Sequence, residues 1–281
     1  MAITPRAEKI ALRTALYIGA ALTGVVCVFP FYNAVLTSLR TGQDLFLPRY
    51  LPTAFSLDNY VYALGEAGIG RSLLNSVIVA VLTVGLCLVV SITASFALAR
   101  IRFAGSKTIL FVVLCVSMFP QVAVLSGMFE LIRFLGLYDH LGALVVSYAT
   151  FSLPFTIWVL TTFMRTIPTE IEEAAIVDGA SIAVIIRSVF LPILGPSLVT
   201  TGLLAFIGAW NEFMFALTFV ISPSNRTVPV GIAFLQGASQ YELPWGSFMA
   251  ASVAATIPIV VLVLIFQKRI VSGLTQGAVK E

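Results

Sequence analysis

The chain has 281 residues, 59% of them hydrophobic and only 10% charged, whereas soluble domains run at about 45–50% apolar and about 25% charged. So few charges cannot clothe a water-facing globule, which excludes a soluble enzyme. Sixteen Lys and Arg against thirteen Asp and Glu leave a charge of +3 in short clusters, without the basic stripe that nucleic acid requires.

Six apolar runs follow one another, at about 15–36, 73–99, 108–129, 142–164, 197–221 and 248–267. Each reaches the ~20 residues that a bilayer core demands. In hydrocarbon each must satisfy its own backbone, so each is expected to be a helix. The expectation is an all-α membrane protein with six transmembrane helices in a single domain over 1–281. Arg6, Lys9 and Arg13 precede the first run, which is longer than the about 7–15 residues of a signal core and reads as an uncleaved span. Cys27, Cys87 and Cys115 each lie inside an apolar run and behave as small hydrophobes, with no disulfide or metal spacing.

Orientation follows from Lys and Arg in the connections. With the N-terminus inside, the inner segments hold Arg6, Lys9, Arg13, Arg100, Arg102, Lys107, Arg165, Arg187, Lys268, Arg269 and Lys280, and the outer ones only Arg40, Arg49, Arg71, Arg133 and Arg226. Both termini are therefore expected on the cytoplasmic side. The first outer connection, about 40–71, carries Ser56-Leu57-Asp58-Asn59-Tyr60 and reads as an irregular cap with a short interfacial helix. Glu130 and Arg133 are spaced as an i,i+3 pair, and His140 reads as a solvated loop histidine. Pro120, Pro154 and Pro258 interrupt the third, fourth and sixth spans, where a proline frees a carbonyl and bends the axis.

The inner loop at 165–195 carries the most information. Thr169 with Glu172 has capping-box spacing, Glu170, Glu172 and Glu173 place negative charge in the first turn, and Gly179 supplies the stop. A second helix, 182–190, is expected to end at Pro192. A tether needs only a few residues, so the loop reads as a docking surface for another protein. An amphipathic hairpin resting on lipid is the alternative, although its acidic turn fits anionic headgroups poorly.

Within this loop Glu173-Ala174-Ala175, three residues, Gly179, nine residues and Val189-Phe190-Leu191-Pro192 resemble the EAA loop of binding-protein-dependent ABC importer permeases, with Val189 in place of the usual Ile. Ala209-Trp210-Asn211-Glu212-Phe213 and the C-terminal 270–280 stretch are similar to the second permease subunit of carbohydrate importers of the maltose and trehalose type. The resemblance implies the ABC importer permease fold in a bacterial or archaeal plasma membrane. It implies a second permease, two copies of a cytoplasmic ATPase subunit and an extracytoplasmic sugar-binding protein as partners. ATP and magnesium would be bound by the ATPase subunits and no cofactor by this chain. Gly105-Ser106-Lys107-Thr108 lacks the upstream glycine and the Gly-Lys step of a phosphate loop.

Carried onto this sequence, the ATPase-coupling residues would be Glu172, Glu173, Ala174, Ala175, Asp178, Gly179, Ala180, Leu191 and Pro192. Glu173 would be the anchoring charge, Ala174 and Ala175 would allow close approach, Gly179 would make the bend, and Asp178 would support it by local hydrogen bonding. Thr275, Gln276 and Gly277 resemble tails that contact the ATPase interface. Gln236, Gly237, Ser239, Gln240, Tyr241 and Glu242 lie where such a subunit meets its binding protein. Asn211 and Glu212, beside Trp210, are costly within a span; they read either as a gate or pathway position or as an interhelical packing bond. Phe119-Pro120-Gln121 is a second gate candidate. An ion-coupled carrier would show ionisable residues on several spans, and only Glu212 qualifies; a membrane enzyme has no catalytic constellation to offer. A neutral sugar is the expected cargo, because no Lys or Arg lies deep in a span, and glycerol phosphate is the alternative.

Overall fold

The apolar runs fold as helices, which close their backbone hydrogen bonds internally. The computed structural model describes residues 5–51, 55–236 and 244–276, and every regular element among them is helical. They begin with α1 (Pro5–Ser38), a 3-10 turn at Gly42–Phe46, α2 (Asp58–Val61) running into a π turn at Tyr62–Glu66, α3 (Ile69–Arg100), α4 (Ser106–Ser117), α5 (Gln121–Phe134) and α6 (Leu141–Thr166). There follow α7 (Thr169–Val177), α8 (Ile182–Val184), a π segment at Ile185–Phe190, α9 (Leu191–Ile193), α10 (Gly195–Asn211), α11 (Met214–Phe219), a 3-10 turn at Pro223–Asn225, α12 (Val228–Ala233) and α13 (Trp245–Gln276).

Four helices among the described residues are long and apolar enough to cross a membrane: Leu12–Ser38, Ile69–Arg100, Leu141–Thr166 and Trp245–Gln267. The third expected span is not one helix, because α4 and α5 meet at 100°. Pro120 causes the break: it caps α5 in an extended conformation, lacking the N–H that would continue the ladder. The helical run Ile182–Ile193 meets α10 at 81°. The fifth expected span also stops short, since Glu212 turns extended and α11 starts afresh at Met214. Pro154 and Pro258 lie within continuous helices, as does Pro30 in α1.

The chain divides into two compact units, Met1–Ile69 with Leu235–Thr256 and Gly70–Phe234 with Ile257–Glu281. In the first, Asn59 is the tie. Its amide donates to the carbonyls of Ser38 and Arg40 at 3.0 and 2.7 Å, and its Oδ1 accepts from Ser247 at 3.3 Å. Gly246 makes room for it, since a Cβ there would stand 2.6 Å from Asn59 side-chain atoms. Arg40, only 5% exposed, winds the following loop by donating to the carbonyls of Leu47, Arg49 and Leu51.

In the second unit α3 buries a face of small residues at helical spacing: Ser72, Ser76, Ala80, Thr83, Cys87, Ser91 and Ser95. Small side chains let helix axes approach where lipid supplies no hydrophobic drive. Along α6, Ala149 accepts from the Cys87 thiol at 3.9 Å and Ile157 from the Ser95 hydroxyl at 3.1 Å. Gly202 of α10 faces Val84 and Leu88, with room for a Cβ only at 3.4 and 3.5 Å. The bulky core lies beside this seam and includes Met128, Ile132, Leu144, Phe206, Trp210, Phe215 and Phe219.

Asp139 closes the unit between α5 and α6. It adopts φ +60°, which short polar side chains tolerate. Its carboxylate accepts from the N–H groups of Ile221 and Ser222, both at 2.9 Å, and from the Ser222 hydroxyl. These donors, the hydroxyl foremost, hold the carboxyl below its ordinary value. The expected Glu130–Arg133 pair does not form: Arg133 lies over the Phe129 ring at 5.8 Å, an attraction comparable with that of an exposed ion pair.

Two outcomes follow from this packing. Ala80→Leu overfills the small-residue seam and lowers stability by about 1–3 kcal/mol, whereas Leu82→Met on the exposed side of the same helix stays within about 0.5 kcal/mol; thermal unfolding in detergent measures both. Because the Ser222 and Ile221 donors hold the folded Asp139 carboxyl below its ordinary value, its stabilisation is present above the unfolded carboxyl's pKa and is lost as pH falls through the folded one. Amide hydrogen exchange at Ile221 and Ser222, corrected for intrinsic rate, reads this loss of protection, and Asp139→Asn lowers protection at neutral pH and flattens its acid dependence.

Candidate functional site

The loop between α6 and α10 is a helix, a bend and a second helical run. The expected capping box is absent because Pro168, not Thr169, caps α7. Proline has no N–H for the returning carboxylate, so the reciprocal bond of the box cannot form. Glu172 turns instead to Arg100 at the end of α3, with Nε and Oε2 3.4 Å apart.

The bend at the end of α7 is built from backbone alone. Gly179 has φ +79°, its N–H donates to Ile176 at 2.9 Å, and the Ala180 N–H donates to Ala175 at 2.9 Å. This is the Schellman pattern, with glycine where a Cβ would strain the chain. Asp178 is the exposed residue before it; the side-chain bond expected to support the bend is replaced by these two amides. The second helix does not end at Pro192, which sits inside α9, and the chain turns at Leu194. Pro192 follows closely on the π segment, where the i→i−4 ladder is already interrupted.

α7 thus presents two different faces. Glu170, Glu173, Ala174 and Val177 are exposed, Val177 at 86%. Glu172, Ala175 and Ala180 turn inward, the two alanines against a core formed by Phe96, Met164, Ile185 and Phe190. Of the two alanines read as meeting a partner, Ala175 is therefore occupied within the chain. Leu191 is half-buried and Pro192 exposed.

Sequence reasoning missed Arg100 as more than a loop cation. Its side chain is 5% exposed, donates to the Ile167 carbonyl at 2.7 Å and lies over the Phe190 ring at 5.0 Å. Arg165 returns the contact from α6, donating to the Leu98 carbonyl at 3.2 Å. The two arginines thus satisfy carbonyls across neighbouring helix ends, where positive charge is favoured. Nothing in the spacing of residues so far apart announces this clasp.

The gate candidates are only partly brought together. Glu212 caps α11: Oε1 accepts from the Phe215 N–H at 2.9 Å and Oε2 from the Ala216 N–H at 3.2 Å. A cavity of about 200 Å³ is lined by Glu212 with Gln121, Tyr148, Phe151, Ser152 and Phe215. Tyr148 and Ser152, an i,i+4 polar pair in an apolar span, were detectable by that spacing. Trp210 does not line this cavity; it is 3% exposed and stacks on Phe206 at 5.6 Å. Asn211 is exposed and donates to the Ile207 carbonyl at 2.9 Å, so it bonds within its own helix. Phe119 is 60% exposed beside the Pro120 break.

Of the remaining candidates, Gln236 accepts from the Tyr62 hydroxyl through its carbonyl at 3.1 Å. Gly237, Ser239, Gln240, Tyr241 and Glu242 lie outside the described residues. Thr275 and Gln276 end α13, and Gly277 lies outside the described residues. No cluster of three or more metal-ligating side chains occurs among the described residues.

Comparison with known proteins bears on this geometry. The trehalose/maltose transport system permease protein MalG of Thermococcus litoralis is 41% identical over 275 residues, covering 97% of this chain and 99% of that one. The sulfoquinovosyl glycerol transport system permease protein SmoH of Agrobacterium fabrum is 37% identical over 266 residues, covering 94% and 93%. A chain of a bacterial ABC transporter involved in the import of the acidic polysaccharide alginate shares the fold, with a TM-score of 0.81 at 21% identity over 95% of this chain and 99% of that one. Residues 88–276, which take in the bent helical loop, the Arg100 clasp and the Glu212 break, match the pattern of the binding-protein-dependent transport system inner membrane component, and the chain belongs to that family of ABC transporter permeases.

Proposed function

We propose that this chain is the membrane permease of an ATP-driven importer for a neutral sugar and works by alternating access. The observation that carries the reading is α7: a helix whose outward face is Glu170, Glu173, Ala174 and Val177, held at a fixed angle by the Gly179 turn. An exposed valine and alanine beside a carboxylate suit a protein cleft that can desolvate the apolar part and pair the charge. Its natural occupant is the ATPase subunit of the transporter, with ATP and magnesium bound there.

In this reading each bent pair counts as one span, giving six, with both termini in the cytoplasm of a bacterial or archaeal cell. A second permease completes the pathway, two ATPase copies drive it, and an extracytoplasmic binding protein delivers the sugar. ATP closes the two ATPase subunits, α7 follows the closure, and the spans on either side of the loop tilt to open outward; hydrolysis resets them. Gln121 and Glu212 border the pathway, the 236–242 loop meets the binding protein, and Thr275, Gln276 and Gly277 reach the ATPase.

The cargo reading is a disaccharide such as maltose or trehalose. The 41% identity to a trehalose/maltose permease supports it, while the relative serving sulfoquinovosyl glycerol marks how far cargo varies among similar chains. In proteoliposomes carrying the whole complex, labelled trehalose or maltose accumulates only with ATP and binding protein; uptake driven by an ion gradient without the ATPase would overturn the reading.

Glu173→Ala removes the charged anchor and weakens ATPase attachment about tenfold to a hundredfold, the worth of one charge-assisted hydrogen bond. Gly179→Ala strains the turn by about 1–2 kcal/mol and lowers uptake with it. Co-purification of ATPase and sugar uptake measure both; wild-type values for both variants would refute the docking role of α7.

A further inference from the structure

We propose that Arg100 is the positioning residue of the transporter's power stroke: through Glu172 it fixes α7 to the end of α3, so that movement of the docked helix becomes movement of a span. The proposal rests on α7 being the ATPase-docking helix. It assigns Glu172 a partner inside the chain and leaves Glu173 as the acid that faces outward.

A nine-residue helix is too short to be stable on its own, and α7 exposes most of its surface. Its apolar hold on the chain is slight, since only Ala175 and the following Ala180 pack against the neighbouring core. Alanine contacts resist separation but not sliding. Arg100 adds direction. Its guanidinium meets three successive segments at once: the Ile167 carbonyl before α7 at 2.7 Å, Glu172 within α7 at 3.4 Å, and the Phe190 ring after α8 at 5.0 Å. A planar fork with five donors and an apolar face can hold all three. A lysine ammonium, a point charge on a flexible stem, cannot.

The position of Arg100 gives this grip its consequence. It is the last residue of α3, a helix of 32 residues and about 48 Å long. Displacing that end tips a span-length rod. The arginine is 5% and Glu172 18% exposed, so water does not compete strongly for either group. Nε has the ion contact but no hydrogen bond, which leaves Glu172 as the counter-charge that holds the guanidinium toward α7.

The test uses the assembled transporter in proteoliposomes and reads ATP hydrolysed per sugar imported. Arg100→Gln and Glu172→Gln each raise this ratio severalfold, while the ATPase stays bound through Glu173. The double variant is no worse than either single one, because all three break the same link. Spin labels at Ile101 and Val177, both exposed, report the link directly: a narrow distance distribution in the parent broadens equally in the three variants. If Arg100→Gln fails to assemble, Arg100→Lys decides, since it keeps the charge and loses the fork; a raised ratio supports the proposal and a parental ratio overturns it. An unchanged ratio with a narrow distribution in Arg100→Gln also overturns it. Parental ATPase attachment and uptake in both Glu173→Ala and Gly179→Ala sink the docking reading itself, whereas weakened attachment in Glu173→Ala with parental coupling in the Arg100 variants sinks this proposal alone.

Discussion

A backbone amide or carbonyl without a partner costs several kcal/mol in hydrocarbon, and that constraint governs where this chain spends its few charges. Unbroken helices need none of them. Several helix ends recruit one, while the turns at Pro120 and Leu194 close through backbone bonds. Glu212 accepts from the Phe215 and Ala216 amides in the first turn of α11, Asp139 accepts from the Ile221 and Ser222 amides after that helix, and Arg100 and Arg165 donate to carbonyls at the ends of α6 and α3. Of the two polar residues that stand out within the fifth apolar run, Glu212 caps the break and Asn211 bonds within its own helix.

The breaks matter because a bundle of unbroken helices can only slide or tilt as rods. The run before α10 turns by 81° while α6 does not break, so the helix that enters the loop and the segment that leaves it differ in kind. α6 is continuous from Leu141 to Thr166 and is clasped to α3 by the reciprocal arginines. The exit through α8, the π segment and α9 is segmented. Force applied to the bend at Gly179 therefore meets a stiff pair of helices on one side and a jointed chain on the other.

Much of this was legible from sequence, and the parts that were not share one cause. Spacing along the chain located the α7 loop, the glycine turn and the break at Pro120, because each depends on residues within a few positions of one another. The capping-box spacing from Thr169 misleads because Pro168, which has no N–H, takes the cap position. The Glu172 pairing was hidden because its partner lies on another helix, 72 positions earlier by residue number, and no local pattern couples them. Trp210 was placed with Glu212 because they are neighbours in sequence; one turns into the core while the other, beyond the helix end, turns to the cavity. The small-residue seam of α3 is periodic and could have been read, but uniform hydropathy masks it.

The π segment between the glycine bend and the Leu-Pro pair brings two buried side chains onto one face. Ile185 and Phe190 are 2% and 1% exposed, five residues apart. In an α-helix residues at that spacing point to different sides, whereas the i→i+5 bonding of a π turn stacks them on one. Both therefore reach the same core, where Phe190 meets Phe96 edge-on at 5.5 Å and supports Arg100 from beneath. Deleting one residue within Ile185–Phe190 would let the segment close as ordinary helix with Ile185 and the ring at i,i+4, still on one side, so the extra residue of the π turn is accommodated without moving Phe190 off the core. The π turn thus serves the ring: it brings Phe190 to the face on which Arg100 lies.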